Sequence, residues 1–149
     1  MSVQTIFVFG KGRLMPKFSG SCLCGKIKLR GNGDINVSPN CHCTDCRRAT
    51  GAVFATMLFI AEEQVEIEGT PSTFHHKSDR GSNMEKCFCS NCGSQVFGRN
   101  SSRPGILSVR AGIIDQTELI NPTVNVFLSS KVASTPINNQ LPAYNKMPN

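Results

Sequence analysis

Apolar and polar residues alternate over many short stretches of this chain, and a period of two marks a strand with one buried face. Lys26-Ile-Lys-Leu-Arg30 shows it most clearly, placing Ile27 and Leu29 inward and the charges in water. The pattern also predicts strands over residues 53–60, 64–68, 72–76, 84–89, 95–98 and 106–111, with Gly, Pro, Ser and Asn between them. Helical periodicity is nearly absent. Thr44-Asp-Cys-Arg-Arg-Ala-Thr50 predicts a short helix begun by Thr44 or Asp45 and stopped by Gly51, and residues 115–119 predict a further turn before Pro122. Many short strands predict a mainly β fold of packed antiparallel sheets.

At 149 residues the chain has the size of one domain, assigned to residues 18–149. Residues 1–17 form an N-terminal extension whose Ile6-Phe-Val-Phe9 can add an edge strand. The start of the chain has neither the basic flank nor the long apolar run of a signal peptide or membrane span. The tail from Ser134 is rich in Pro and Asn and is expected to be a loop that orders only by docking.

Cysteine changes this picture most. Seven of the eight cysteines fall into tight clusters: Cys22-Leu-Cys24, Cys41-His-Cys43-Thr-Asp-Cys46 and Cys89-Ser-Asn-Cys92. Disulfides between such close neighbours are strained, whereas thiolates at these spacings converge on a soft cation. A dispersed disulfide scaffold in a secreted chain fits poorly, and a reducing cytoplasmic setting fits best. A structural zinc takes four protein ligands; a catalytic zinc takes three and keeps a position open. Seven sulfurs divide that way if Cys22, Cys24, Cys89 and Cys92 close one ion while Cys41, Cys43 and Cys46 hold the other. Cys22 and Cys24, at i and i+2, would share one face of a strand. A fourth ligand to the trio could still come from Cys87 or His42, although Cys87 reads more readily as a small buried thiol. The ring of His42 is expected to point away from its neighbours' ion.

The formal charge of +6 invites a nucleic-acid reading. Zinc-bound thiolates leave a four-cysteine site at −2 and a three-cysteine site at −1, which together lower +6 to +3. The basic residues also lack the interleaved aromatics of a strand-stacking RNA binder, so a small-molecule substrate is the expected partner. Arg47 and Arg48, directly after the trio, are candidates to hold a substrate carboxylate. His75, His76, Glu62, Glu63 and Lys86 are read as solvated surface.

Gly20-Ser-Cys-Leu-Cys-Gly25, Cys41-His-Cys-Thr-Asp-Cys-Arg-Arg-Ala-Thr-Gly51 and Phe88-Cys-Ser-Asn-Cys-Gly93 resemble, in order, the motifs of the glutathione-dependent formaldehyde-activating enzyme family, which includes centromere protein V. The resemblance runs from about Phe18 to Tyr144. It implies a β-tent with a structural zinc on Cys22, Cys24, Cys89 and Cys92 and a catalytic zinc on Cys41, Cys43 and Cys46. It also implies zinc-dependent carbon–sulfur lyase activity, the reversible addition of glutathione to formaldehyde. The stretch Asn125-Val-Phe-Leu-Ser-Ser-Lys-Val-Ala-Ser-Thr-Pro136 departs from the family's usual C-terminal pattern, and tryptophan is absent, which points to a changed substrate. Two other functions are compatible with the residues: a zinc Lewis-acid isomerase or cyclase, and a non-catalytic zinc module for a protein or polymer surface.

Overall fold

The computed structural model describes residues 15–148, so the edge strand expected at residues 6–9 lies outside the described residues. Among the described residues the elements run β1 (Phe18–Ser21), β2 (Lys28–Gly31), β3 (Pro39–Cys41), α1 (Thr44–Thr50), β4 (Ala55–Ala61), β5 (Val65–Glu68), β6 (Ser72–Lys77), β7 (Asn83–Phe88), β8 (Gln95–Asn100), β9 (Ile106–Arg110) and β10 (Val124–Val126). The mainly β expectation holds. β1, β2 and β5 form a three-stranded antiparallel sheet, and the remaining strands a seven-stranded sheet in the order β10-β3-β4-β9-β8-β7-β6. The pairing is not antiparallel throughout, because β10 lies parallel to β3.

Both faces are covered at the centre of the larger sheet, though not along its edge strand β6. In β9, Leu107 and Val109 point one way and Ser108 and Arg110 the other, yet all four are buried. Leu107 and Val109 join Leu58, Ile60, Val96 and Phe97 against Phe18, Ile27 and Leu29 of the small sheet and its flank. Burying side chains of this size contributes roughly 1.5–3 kcal/mol apiece, and this core fixes the two sheets together. The opposite face carries Met57, Phe59, Ser108 and Arg110 toward a cavity bordered by the first turn of α1 and by the tail.

The tail is docked loop. Asn125 of β10 donates its backbone N–H to Pro142 and accepts from the N–H of Tyr144, at 2.9 and 3.0 Å. The expected turn near residues 115–119 is a single 3-10 turn, Thr117–Leu119. No helix among the described residues is long and apolar enough to cross a membrane.

Candidate metal centres and the cavity beside them

Cys22 and Cys24 are not on a strand. They sit in the turn that follows β1, where Cys22 exchanges backbone hydrogen bonds with Ile27 and Gly25 (Cys22 N–H to Ile27 at 3.0 Å, Gly25 N–H to Cys22 at 3.1 Å). The Cys89–Cys92 turn repeats this design: Cys89 donates to Ser94 at 2.9 Å and Gly93 donates to Cys89 at 2.8 Å. Gly25 and Gly93 take φ of 82° and 79°, the left-handed conformation that lets each turn fold back without a Cβ clash. The two knuckles face each other, with the Leu23 N–H on Ser94 Oγ at 3.2 Å.

The four sulfurs of Cys22, Cys24, Cys89 and Cys92 lie within 4.8 Å of one another, and Cys24 Sγ is 3.7 Å from both Cys22 and Cys89. A tetrahedron of sulfurs about 2.3 Å from a central zinc has edges of about 3.8 Å, so this donor set can hold a metal ion. Backbone N–H groups stabilise the thiolates, as Ile27 does for Cys22 at 3.3 Å. Ser94, 3.3 Å from Cys92 Sγ, is the main cause that brings that thiol down to about 5. Hydrogen bonds from the Asn91 side chain and the Lys26 backbone lower Cys24 as well.

Cys41, Cys43 and Cys46 form a second group within the same 4.8 Å limit, on the cavity face of the large sheet. Cys41 ends β3, Cys46 lies in α1, and Cys43 is the N-cap of that helix, one or two residues before the Thr44 or Asp45 expected in that role. A sulfur replaces the usual cap oxygen: Cys43 Sγ accepts the Cys46 N–H at 3.2 Å. Gly51 closes the helix at its expected end. Hydrogen bonds from Cys41 and then Cys43 bring the Cys46 thiol down to about 3, and the charges of Arg110 and Lys86 act in the same direction. Hydrogen bonding with Cys43 and Cys46, together with burial, pushes Cys41 up.

Neither candidate for a fourth ligand belongs to this group. Cys87 pairs with Phe97 on the opposite, core-facing side of the sheet, buried with Thr73 Oγ1 at 3.5 Å from its sulfur. Burial pushes its thiol up, as expected of an inert core cysteine. His42 is buried with its ring stacked on Phe54, centroids 4.8 Å apart. Burial holds this imidazole below its ordinary range.

The cavity beside the trio has a volume of about 300 Å³. Thr44, Asp45 and Cys46 in the first turn of α1 border it, but Arg47 and Arg48, one residue farther along the helix, do not. At 100° per residue they are carried round and away from Cys46. Lys86 and His76 do line it, contrary to the surface reading of both. The alternation of β7 was readable; the covering of its second face was not. His75 is exposed as expected. Val126, Phe127, Ser129 and Ser130, from the stretch that departs from the family pattern, also line the cavity, with Phe127 held at a left-handed φ of 58°.

A family model described as glutathione-dependent formaldehyde-activating enzyme matches residues 17–130. A putative enzyme of that name from Aspergillus terreus is 28% identical over 89 residues, 56% of this chain and 46% of its own. An uncharacterised lyase from Schizosaccharomyces pombe is 29% identical over 83 residues, 56% of this chain and 58% of its own. A putative enzyme from Pyrenophora teres is 24% identical over 123 residues, covering 77% and 64%. The chain thus spans about half to two thirds of these relatives' length. The crystal structure of a Rhodobacter sphaeroides protein shares the fold, with a TM-score of 0.55 at 19% identity over 70% of this chain and 96% of that one. Knuckles, trio and matched span together place the chain in the glutathione-dependent formaldehyde-activating enzyme family.

Proposed function

We propose that the protein is a zinc-dependent carbon–sulfur lyase that joins a thiol such as glutathione to a small electrophile, or removes it, at the three-cysteine centre. The observation that carries this reading is the inequality of the two clusters, four sulfurs in one and three in the other, with the second opening on a cavity. The donor sets fit two zinc ions per chain, one structural and one catalytic. Zinc on the trio supplies Lewis acidity at an open position, chemistry that yields a thiolate at neutral pH.

The chain's own residues do the rest. β3, the Cys43 cap and α1 hold the three sulfurs on separate, rigid pieces of backbone, so the centre needs no rearrangement to receive a ligand. Phe59, Met57 and Met147 give the cavity part of its apolar wall. In the forward direction the thiol sulfur adds to the carbonyl carbon and a C–S bond forms. The π pair moves to oxygen, which takes the proton the thiol gave up, and nothing is oxidised or reduced. All eight cysteines are unpaired, as a reducing compartment such as the cytoplasm would keep them.

The test is the rate of exchange between ¹³C-formaldehyde and S-hydroxymethylglutathione, read by NMR, then repeated with larger aldehydes. The two-zinc protein is expected to accelerate exchange for at least one thiol–aldehyde pair above the spontaneous rate. No acceleration across the panel would overturn the lyase reading. The changed cavity wall at Val126–Ser130 favours one second reading, Lewis-acid isomerisation or cyclisation of a small metabolite, whose mark is turnover without any thiol.

A further inference from the structure

We propose that Lys86 and Arg110 form an anion subsite on the cavity floor, and that the compound handled at the three-cysteine centre carries a compact carboxylate. This rests on the reading that the cavity is the reacting site. Strand register places Lys86, Gly98, Ser108 and Phe59 in one row across β7, β8, β9 and β4. Gly98 adds no side chain between Lys86 and Ser108, which leaves a hollow there. Arg110 stands two residues beyond Ser108, opposite Met57, and Met57 is two residues from Ala55, the partner of Cys41. The row and the trio therefore share one sheet face.

Both cations are buried, each only 6% exposed. The carboxylates that line the cavity are engaged elsewhere: Glu85 with Arg99 at 3.3 Å, Asp79 with Lys146 at 3.6 Å, and Asp45 3.9 Å from His76. The Lys86 side chain has neither a hydrogen bond nor a carboxylate ion pair among the described residues. Arg110 donates Nε to Gln95 Oε1 at 3.0 Å and keeps a second nitrogen, NH1, buried without an acceptor. Cys46 feels both charges, but burying charge without full balance is costly, so two such cations in one cavity call for a further anion.

The trio does not supply that anion by itself. Three thiolates around a divalent ion leave −1, against +3 from Lys86, Arg110 and Arg103, which lines the same cavity with its guanidinium over Phe59. A carboxylate suits the planar guanidinium fork and a cavity of about 300 Å³. Either the thiol or the electrophile can bring it, and formaldehyde cannot.

Calorimetry on the two-zinc protein separates these sources without turnover, so its outcome is independent of the exchange assay. Affinities are measured for glutathione against its glycyl ethyl ester, and for glyoxylate against methyl glyoxylate, in wild type and Lys86→Met. Capping the recognised carboxylate is expected to weaken wild-type binding at least about tenfold. Lys86→Met should weaken the free acid by a similar factor, leave the ester unchanged and retain two zinc ions. The pair that responds identifies the carboxylate's source. The proposal is overturned if neither ester differs from its acid in wild type, which decides the matter even if Lys86→Met does not fold. It is equally overturned if Lys86→Met weakens acid and ester alike, or if its zinc count falls, since Lys86 would then serve only to balance the thiolates.

Discussion

A chain carrying Cys43→Ser will bind one zinc ion instead of two and lose adduct-forming activity by on the order of 1,000-fold, while its melting temperature moves little. The size of the loss follows from removing metal-ion stabilisation worth several kcal/mol, about 1.4 kcal/mol per factor of ten. The folded state survives for a local reason. Cys43 is the N-cap of α1, with its sulfur on the Cys46 N–H, and a serine hydroxyl is among the best replacements for that duty. Two sulfurs remain in the group, too few for the soft, well-fixed site that zinc prefers. Metal analysis, the exchange assay and a thermal scan on one preparation read all three quantities. Loss of both zinc ions, or two retained with full activity, would show that the two centres do not divide the labour as proposed.

Cys89→Ser will act on the other side of that division, by unfolding the chain. The knuckle at Cys89–Cys92 joins the turn between β7 and β8 of the large sheet to the turn between β1 and β2 of the small one. A zinc ion bound there would clamp the two sheets at one end of the core they share. Structural zinc sites contribute roughly 10–16 kcal/mol of binding free energy, which is folding free energy when the unfolded chain has no site. Domains of this size have margins of about 5–15 kcal/mol, so the loss consumes most or all of the stability. Near-ultraviolet circular dichroism and chelator titration should show Cys89→Ser without fixed tertiary structure at temperatures where Cys43→Ser is native. A Cys89→Ser chain as stable as wild type would mean that the core alone joins the sheets.

Much of this was legible in the sequence where the pattern was strong. The strands from β4 to β9 differ from their expected bounds by at most two residues, because alternation or flanking turn residues mark each of them, although β5 and β6 contain no buried residue. β1, β3 and β10 left no such signal. Phe18-Ser-Gly-Ser, Pro39-Asn-Cys and Val124-Asn-Val are too short to show a period of two, and tertiary pairing makes them strands: Asn40 Nδ2 donates to Asn125 Oδ1 at 3.2 Å across the parallel pair. The ligand partition was readable from spacing, although one step toward it was not correct. Cys22 and Cys24 converge through a turn rather than along a strand face. Lys86 and Arg110 were hidden for a more general reason. Alternation tells which residues share a face, but a sheet covered on both faces buries its charges too, and only the fold shows that the second cover exists.

X-ray absorption at the zinc edge, on the two-zinc protein without added thiol, counts the sulfurs that hold the metal. Seven cysteine sulfurs shared between two ions is the predicted result, with Cys87 left in the core and the ion on the trio free to accept a reactant. Eight sulfurs, four around each ion, would contradict it, since the cavity would then face a centre with no room for chemistry.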